Sequence, residues 1–327
     1  MLRRTLLKSS LLAIGAGTGT RSFAQSANGF PSRPITWVVP YSAGGTTDVI
    51  ARTLANEMQP AFSQPIVVEY KPGAATSIGA AFVTRAPADG HTLMSADNAA
   101  LAYNPSIYSK LPYDPNGFSF IGSIGRLPMA LAVHPGVPVK TAQEFLSWAK
   151  ANSGKVFYGS PGIGSPHHLN MEYFADAVGL PLQHIPYKGG APAINALVAG
   201  ELQTMMVDLP LAREFALAGK VRMLALAADK RAASLPDLPT FAEAGLPRMS
   251  LGAWQGVVGP AGIPKPLIER LNGALNTALR TDAFQKRFGI FALEITPGTP
   301  ESFEAFVRAE QAQWGPFIRR KGITNAG

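Results

Sequence analysis

The chain has 327 residues, a length for about two domains, with 46% apolar residues, enough for substantial cores, and a formal charge of +8. It contains no cysteine, which excludes disulfides, cysteine metal sites and a lipid anchor on a cysteine. Four basic residues (Arg3, Arg4, Lys8, Arg21) and no acid fall in the first 24 positions, so the remainder carries only +4, and without a basic run interleaved with aromatics no nucleic-acid partner is expected.

The chain opens with basic Met1–Arg4, an apolar and small stretch from Leu6 to Ala16, and Ser22-Phe23-Ala24 before Gln25. That order reads as a secretory signal over residues 1–24, cleaved near Ala24. Arg3-Arg4-Thr5-Leu6-Leu7-Lys8 is also similar to a twin-arginine signal, although Leu2 stands where that pattern prefers Ser or Thr, so Tat and Sec export both stay open. No later apolar stretch reaches the roughly 18–20 residues of a membrane span. The processed chain is therefore expected to be soluble and unanchored in the periplasm.

Ile35–Val39 reads as a strand buried on both faces. Thr47-Asp48 can then cap a helix whose Ile50, Ala51, Leu54 and Met58 share one face. Ile66–Val68 and His91–Ser95 are further strands, with a loop and helix between them at Gly73–Arg85. After a Pro- and Gly-rich stretch at 104–117, Phe120–Ile124 and Met129–Val133 read as a strand pair. Thr141-Ala-Gln-Glu144 is a capping-box pattern opening a helix to about Ala151.

Strands near 156–158, 182–186, 202–207 and 222–227 then alternate with helices near 166–178, 192–199 and 209–218. Thr240-Phe-Ala-Glu243 is a second capping-box pattern, Leu251–Val258 a strand and Pro266–Arg280 a helix. Pro300 takes the first position of a last helix. This alternation predicts an α/β protein of two lobes, each a mainly parallel sheet flanked by helices. Lobe one is placed at 25–126 plus 250–327 and lobe two at 127–249, joined by crossings near Arg126 and Ser250 that could serve as a hinge.

Two short loops carry most of the functional information. Tyr41-Ser-Ala-Gly-Gly-Thr-Thr-Asp48 follows the first strand, and Tyr158-Gly-Ser-Pro-Gly-Ile-Gly-Ser165 follows Val156-Phe157. Each joins a strand to a helix start through Gly and hydroxyl residues, which aims free N–H groups and a positive dipole end at one point. Two such loops in a two-domain chain suggest facing halves of one anion-binding cleft.

In the first loop Tyr41, Ser42, Gly45, Thr46 and Thr47 are the candidate carboxylate contacts; the plainer alternative is a turn in which Thr47 only caps its helix. Asp48 is read as a first-turn residue or a support for the loop. In the second, Ser160, Gly164, Ser165 and His168 are candidates on the same logic. Ala74 and Thr76, in the loop after the second strand, and Lys188, at another strand end, are further candidates. Asp208 ends a strand aimed at the cleft and could meet an amino group, or else cap the next helix. Trp254 is expected to pack at the hinge.

Adjacent His167 and His168 point in different directions on a helix, so no metal is expected there. Neither a nucleophile elbow, a Walker loop, a complete dinucleotide fingerprint nor His-Glu-x-x-His occurs. The chain is accordingly expected to be no enzyme and to need no cofactor. Ser165 three positions from His168 has no evident acid partner.

Together these pieces resemble a known family. Pro31-Ser-Arg-Pro-Ile-Thr-Trp-Val-Val-Pro-Tyr41, Gly44-Gly45-x-x-Asp48, Ala88-Asp-Gly-His-Thr-Leu93, Pro186-Tyr-Lys-Gly189, Leu235-Pro-Asp-Leu-Pro-Thr240, Glu243-Ala-Gly-Leu-Pro247 and Pro260-Ala-Gly-x-Pro264 stand in register with the substrate-binding proteins of tripartite tricarboxylate transporters, the Bug family. The resemblance covers essentially the whole chain after the leader. It implies a type II-like Venus-flytrap binding protein that holds a small carboxylate between its lobes, whether a dicarboxylate, a tricarboxylate, an amino acid or an aromatic acid. Membrane subunits of a tripartite transporter are the implied partners, with a membrane sensor kinase as the alternative and a monomer as the expected state.

The chain departs from the family at Ala43, where Pro is usual, and in Tyr70-Lys71-Pro-Gly-Ala-Ala75-Thr76, where the family often reads Asn-x-Pro-Gly-Ala-Gly-Gly, with Gly at the places of Ala75 and Thr76. Those changes could reshape one wall of the pocket.

Overall fold

A computed structural model describes residues 29–249, 251–289 and 293–324. The leader read from residues 1–24 and the crossing residue Ser250 lie outside them.

Strand β1 (Ile35–Val39) carries the run Ile-Thr-Trp-Val-Val, buried on both faces. It pairs in parallel with β2 (Ile66–Tyr70) and β3 (Thr92–Asp97). Helix α1 (Thr46–Met58) returns from β1, and its Ile50, Leu54 and Met58 close a core with Trp37 and Leu93. Helix α2 (Ser77–Thr84) links β2 to β3. A buried π-helical turn at Ala99–Tyr103 leads into the short helix α3 (Asn104–Ile107), which occupies the start of the Pro- and Gly-rich stretch at 104–117.

The expected strand pair at 120–133 is one continuous strand, β4 (Phe118–Val133). Its first part, through Pro128, runs antiparallel to β9 (Gly252–Pro260), with register shifts at Phe120/Gly122 and Ser123/Gly125. From Met129 it pairs instead with β7 (Thr204–Asp208) and β8 (Arg222–Leu226). One strand thus belongs to both halves of the molecule. The bulges let it twist without losing the ladder.

The second half follows from α4 (Ala142–Ala151), whose Thr141 capping box is fully formed. Strand β5 (Phe157–Ser160), α5 (Pro166–Val178), β6 (Gln183–Pro186) and α6 (Gly190–Ala199) come next, then β7, α7 (Leu209–Leu217) and β8. β5 pairs in parallel with β6 and β7. Thr240 and Glu243 exchange capping hydrogen bonds, yet only turns follow, not a helix. Gly245 and Pro247 end the segment before a second turn can form.

The sheet order is β2-β1-β3-β9-β4-β7-β5-β6, with β8 and the short β10 (Glu294–Ile295) also on β4. Each half keeps three parallel strands, and the strands near the junction run antiparallel, which makes the whole sheet mixed. Helices α8 (Lys265–Leu279), α9 (Asp282–Gly289) and α10 (Pro300–Arg320) return to the first half. On the α10 side Trp254 Nε1 donates to buried Glu310 at 2.7 Å, and Phe303 and Phe306 pack edge-on against the indole. Trp254 therefore packs beside the junction, and its neighbours Ala253 and Gln255 face the cleft. No helix among the described residues is long and apolar enough to cross a membrane.

Candidate functional site

β1, β5, β6 and β7 each end where a helix begins, and the C-terminal strand ends of the two halves face one another. Between them lies a cavity of about 560 Å³, solvent at its mouth included. One wall is Tyr41, Ser42, Gly45, Thr46 and Thr47. Facing it are Pro161, Pro166 and His167 of the second loop, Gly190 at the start of α6, and Asp208. Asp97, at the end of β3, and Gln255 of β9 complete the polar lining. The two glycine-rich loops therefore share one cavity.

A second cavity adjoins the first through Tyr41 and Pro161, and Ala74, Thr76 and Lys188 line it. The halves also touch directly at this rim. Ser42 Oγ donates to the Lys188 carbonyl at 3.0 Å, and Gly164 sits so close to Ile107 that a Cβ there would lie 2.7 Å from the isoleucine methyl.

Local chemistry fixes the first wall. Gly45 is the N-cap of α1 and has no side chain to satisfy the N–H groups of the first turn, so these stay available at the cavity. Asp48 turns away from it. Its carboxylate accepts from the Gly44 N–H at 2.8 Å, from Arg52 Nε at 2.9 Å and from the Tyr70 hydroxyl at 2.9 Å, which pins the loop. The capping role expected of Thr47-Asp48 thus falls to Gly45. Thr47 instead accepts from Gln255 Nε2 at 2.9 Å.

The Tyr41 hydroxyl donates to Asp97 at 2.5 Å, and the Ala100 N–H donates to the other carboxylate oxygen. Burial, reinforced by Asp97, holds the Tyr41 phenol well above its ordinary range, so it remains a donor. Burial also pushes the Asp97 carboxyl up, against the pull of Tyr41 and backbone N–H groups.

Four expected second-loop contacts stand behind this wall. Ser165 caps α5 by accepting from the His168 N–H, and Ser160 Oγ lies 2.6 Å from His184 Nε2. His168 Nδ1 accepts from the Gly164 N–H, and its ring stacks on His184 at 3.9 Å. Ser160, Gly164, Ser165 and His168 line neither cavity. Their polar atoms are spent on shaping the loop.

The helix instead presents His167, one residue earlier and about 100° around the axis. Asp97, Gln255 and His167 were missed by sequence reasoning as contacts. Asp97 ends a strand exactly as Asp208 does, and Gln255 is the one polar side chain in an apolar strand, so both left a signal.

Ala74, Ala75 and Thr76 all take left-handed backbone, with φ of 46°, 44° and 72°. Glycine would adopt it without strain; these residues are held there at a cost of about 1 kcal/mol or more each. Asn104 Nδ2, donating to the Ala75 carbonyl at 2.8 Å, helps fix the turn. The backbone at Ala74–Thr76 thus follows a path that glycine favours. The Thr76 hydroxyl is directed to the Ala75 carbonyl rather than to the cavity.

Residues 50–323 match the family model described as the tripartite tricarboxylate transporter family receptor. The chain belongs to this family. A Pseudomonas sp. (strain P51) protein from the tcbD-tcbE intergenic region is 33% identical to this receptor-family chain over 97% of it and 94% of the relative. Among solved structures, an R. palustris protein with adipate superposes with a TM-score of 0.86 at 32% identity, covering 90% of this chain and 98% of that one.

The periplasmic binding protein BugD gives 0.85 at 34% identity, over 90% and 100%. MatC from Rhodopseudomonas palustris, with bound malate, gives 0.83 at 30%, over 88% and 100%. The tricarboxylate-receptor family assignment and these superpositions establish a two-lobed periplasmic-binding-protein fold. Among the described residues no group of three His, Asp or Glu is placed to hold a metal ion.

Proposed function

We propose that this protein is a non-catalytic periplasmic receptor that captures a small organic carboxylate between its lobes and presents it to the membrane subunits of a tripartite transporter. One observation carries the reading: the N-terminal ends of α1, α5, α6 and α7, drawn from both halves, face a single cavity edged with hydroxyl and amide donors. Helix N-termini favour negative charge, and donors without full positive charge suit reversible capture. Tyr41, Ser42, Gly45, Thr46 and Thr47 would form one wall, with Ala74, Thr76 and Lys188 in the adjoining space. Ser160, Gly164, Ser165 and His168 would act by holding the facing loop. The adipate and malate in related structures support a carboxylate as ligand class.

The lobes would hinge where β4 changes partners at Pro128–Met129 and where the chain returns into β9. Export by the leader, with cleavage near Ala24, is part of the proposal. Ligand that binds only the closed form would stabilise it by its differential affinity.

Thermal-shift titration of the processed protein with dicarboxylates, tricarboxylates, amino acids and aromatic acids tests the reading, since a native-state ligand raises Tm by mass action. At least one carboxylate is expected to raise Tm. Thr47→Val is expected to weaken it about tenfold, roughly 1.4 kcal/mol, read against the variant's own ligand-free Tm, which falls because Gln255 Nε2 loses its acceptor. A panel in which only neutral sugars or cationic peptides bind would overturn the proposal.

A further inference from the structure

The charge balance of the cavity differs from what a dicarboxylate requires. Its lining holds two carboxylates, Asp97 and Asp208, and no lysine or arginine. Even a fully protonated His167 would leave the wall without surplus positive charge. Lys188 lies in the adjoining cavity.

Three buried polar atoms of this lining have no hydrogen-bond partner: Asp208 Oδ1, Gln255 Oε1 and His167 Nδ1. Asp208 is 7% exposed and Gln255 4%. His167 Nε2 stands 3.2 Å from Asp208 Oδ1, but the contact lacks hydrogen-bond geometry and leaves that oxygen unsatisfied. Asp97 differs, because its oxygens already accept from Tyr41 and Ala100. Asp208 is the N-cap of α7 yet makes no cap hydrogen bond, so its carboxylate is not spent on that helix. A buried acceptor without a donor costs about 1–3 kcal/mol, and more when charged. Two such acceptors in one cavity call for a donor, and the carboxylate, with only the His167 ring beside its free oxygen, calls for a positive one.

We infer that the ligand is an amino carboxylate, bound as a zwitterion: its ammonium group donates to Asp208 Oδ1 and Gln255 Oε1, and its carboxylate meets the donor wall of α1. This rests on the carboxylate-receptor reading and narrows it. A dicarboxylate such as succinate would bring a second negative charge to Asp208 and leave both acceptors unpaired. A hydroxy acid would supply a donor but not the counter-charge.

Isothermal titration with matched sets tests the inference: succinate, malate and L-aspartate, then adipate and L-2-aminoadipate. The amino member of at least one set is expected to bind ten-fold or more tighter than its partners. Asp208→Asn, which keeps the shape of the side chain and removes its charge, is expected to reduce that preference to threefold or less without lowering the ligand-free Tm. Succinate or adipate binding as tightly as the amino counterpart would overturn the inference and leave the carboxylate receptor standing, as would malate equal to aspartate. An amino preference that survives intact in Asp208→Asn would also overturn it. If no carboxylate of any kind binds, both readings fall together.

Discussion

Lowering the pH from 7 to 4.5 is expected to reduce the unfolding free energy by on the order of 4 kcal/mol through two histidines behind the second loop. Burial, with His184 adding to it, lowers the His168 pKa to about 3; burial alone lowers His184 to about 4. Both begin from an ordinary value of 6.5 in the unfolded chain. Between pH 6.5 and 4 the unfolded state therefore binds protons that the folded state refuses, so stability falls as acid is added. The stability is fully present above pH 6.5 and lost progressively toward the folded values.

Geometry explains the refusal. The two rings stack at 3.9 Å, Tyr158 stacks on His184 at 4.9 Å, and the Tyr158 hydroxyl is committed to Glu172. A proton on His168 Nδ1 would also break the bond from the Gly164 N–H. Urea unfolding at pH 7, 5.5 and 4.5 checks this, and His184→Leu should remove about half of the loss. A flat profile, or the same slope in the variant, would contradict it.

Gly256→Ala is expected to destabilise the protein by about 3 kcal/mol. A Cβ at Gly256 would lie 2.1 Å from Phe303 Cζ and 2.5 Å and 2.8 Å from two further ring atoms. The ring is wedged between β9 and α10, edge-on to Phe120 at 5.5 Å and Trp254 at 6.0 Å, so it has nowhere to move. The clash lies on the strand that links β3 to β4 across the sheet. Combining Gly256→Ala with Phe303→Leu should give a double variant more stable than the sum of the single losses, because the two share one space. Urea midpoints decide it. A loss below 0.5 kcal/mol for Gly256→Ala, on the order of an ordinary surface change, would contradict the packing account.

Where the chain buries both faces of a strand, the sequence was enough: Ile35–Val39 and Thr204–Asp208 are mainly apolar over adjacent positions, with Trp37-Val-Val39 and Met205-Met-Val207 at their cores. β4 was harder, because Gly122, Gly125 and Arg126 interrupt its apolar pattern, and a bulged strand looks like two short ones. The helical segment at Ala99–Ile107 left no amphipathic stripe, since Ala99–Tyr103 is buried all round and Asn104-Pro105 reads as a loop. The first wall of the site was legible because strand, glycine loop and helix start are contiguous. The facing wall was legible as a loop but not residue by residue: choosing between His167 and His168 requires the phase of α5, which one residue at its start decides. Gln255 stands out in the sequence as the polar side chain of an apolar strand, but its place at the cavity follows from β9 lying beside β3, with Asp97 opposite it.

The central claim is that both lobes hold one negatively charged group at a shared point. A crystal structure of the processed protein with the tightest-binding carboxylate from the titrations tests it most directly. A carboxylate oxygen is expected within hydrogen-bond distance of the Thr46 or Thr47 N–H or hydroxyl, with the same ligand also touching Pro161–His167, Gly190 or Asp208. A ligand seated against one lobe alone, or outside the cavity lined by Tyr41, Thr47 and Asp208, would contradict it.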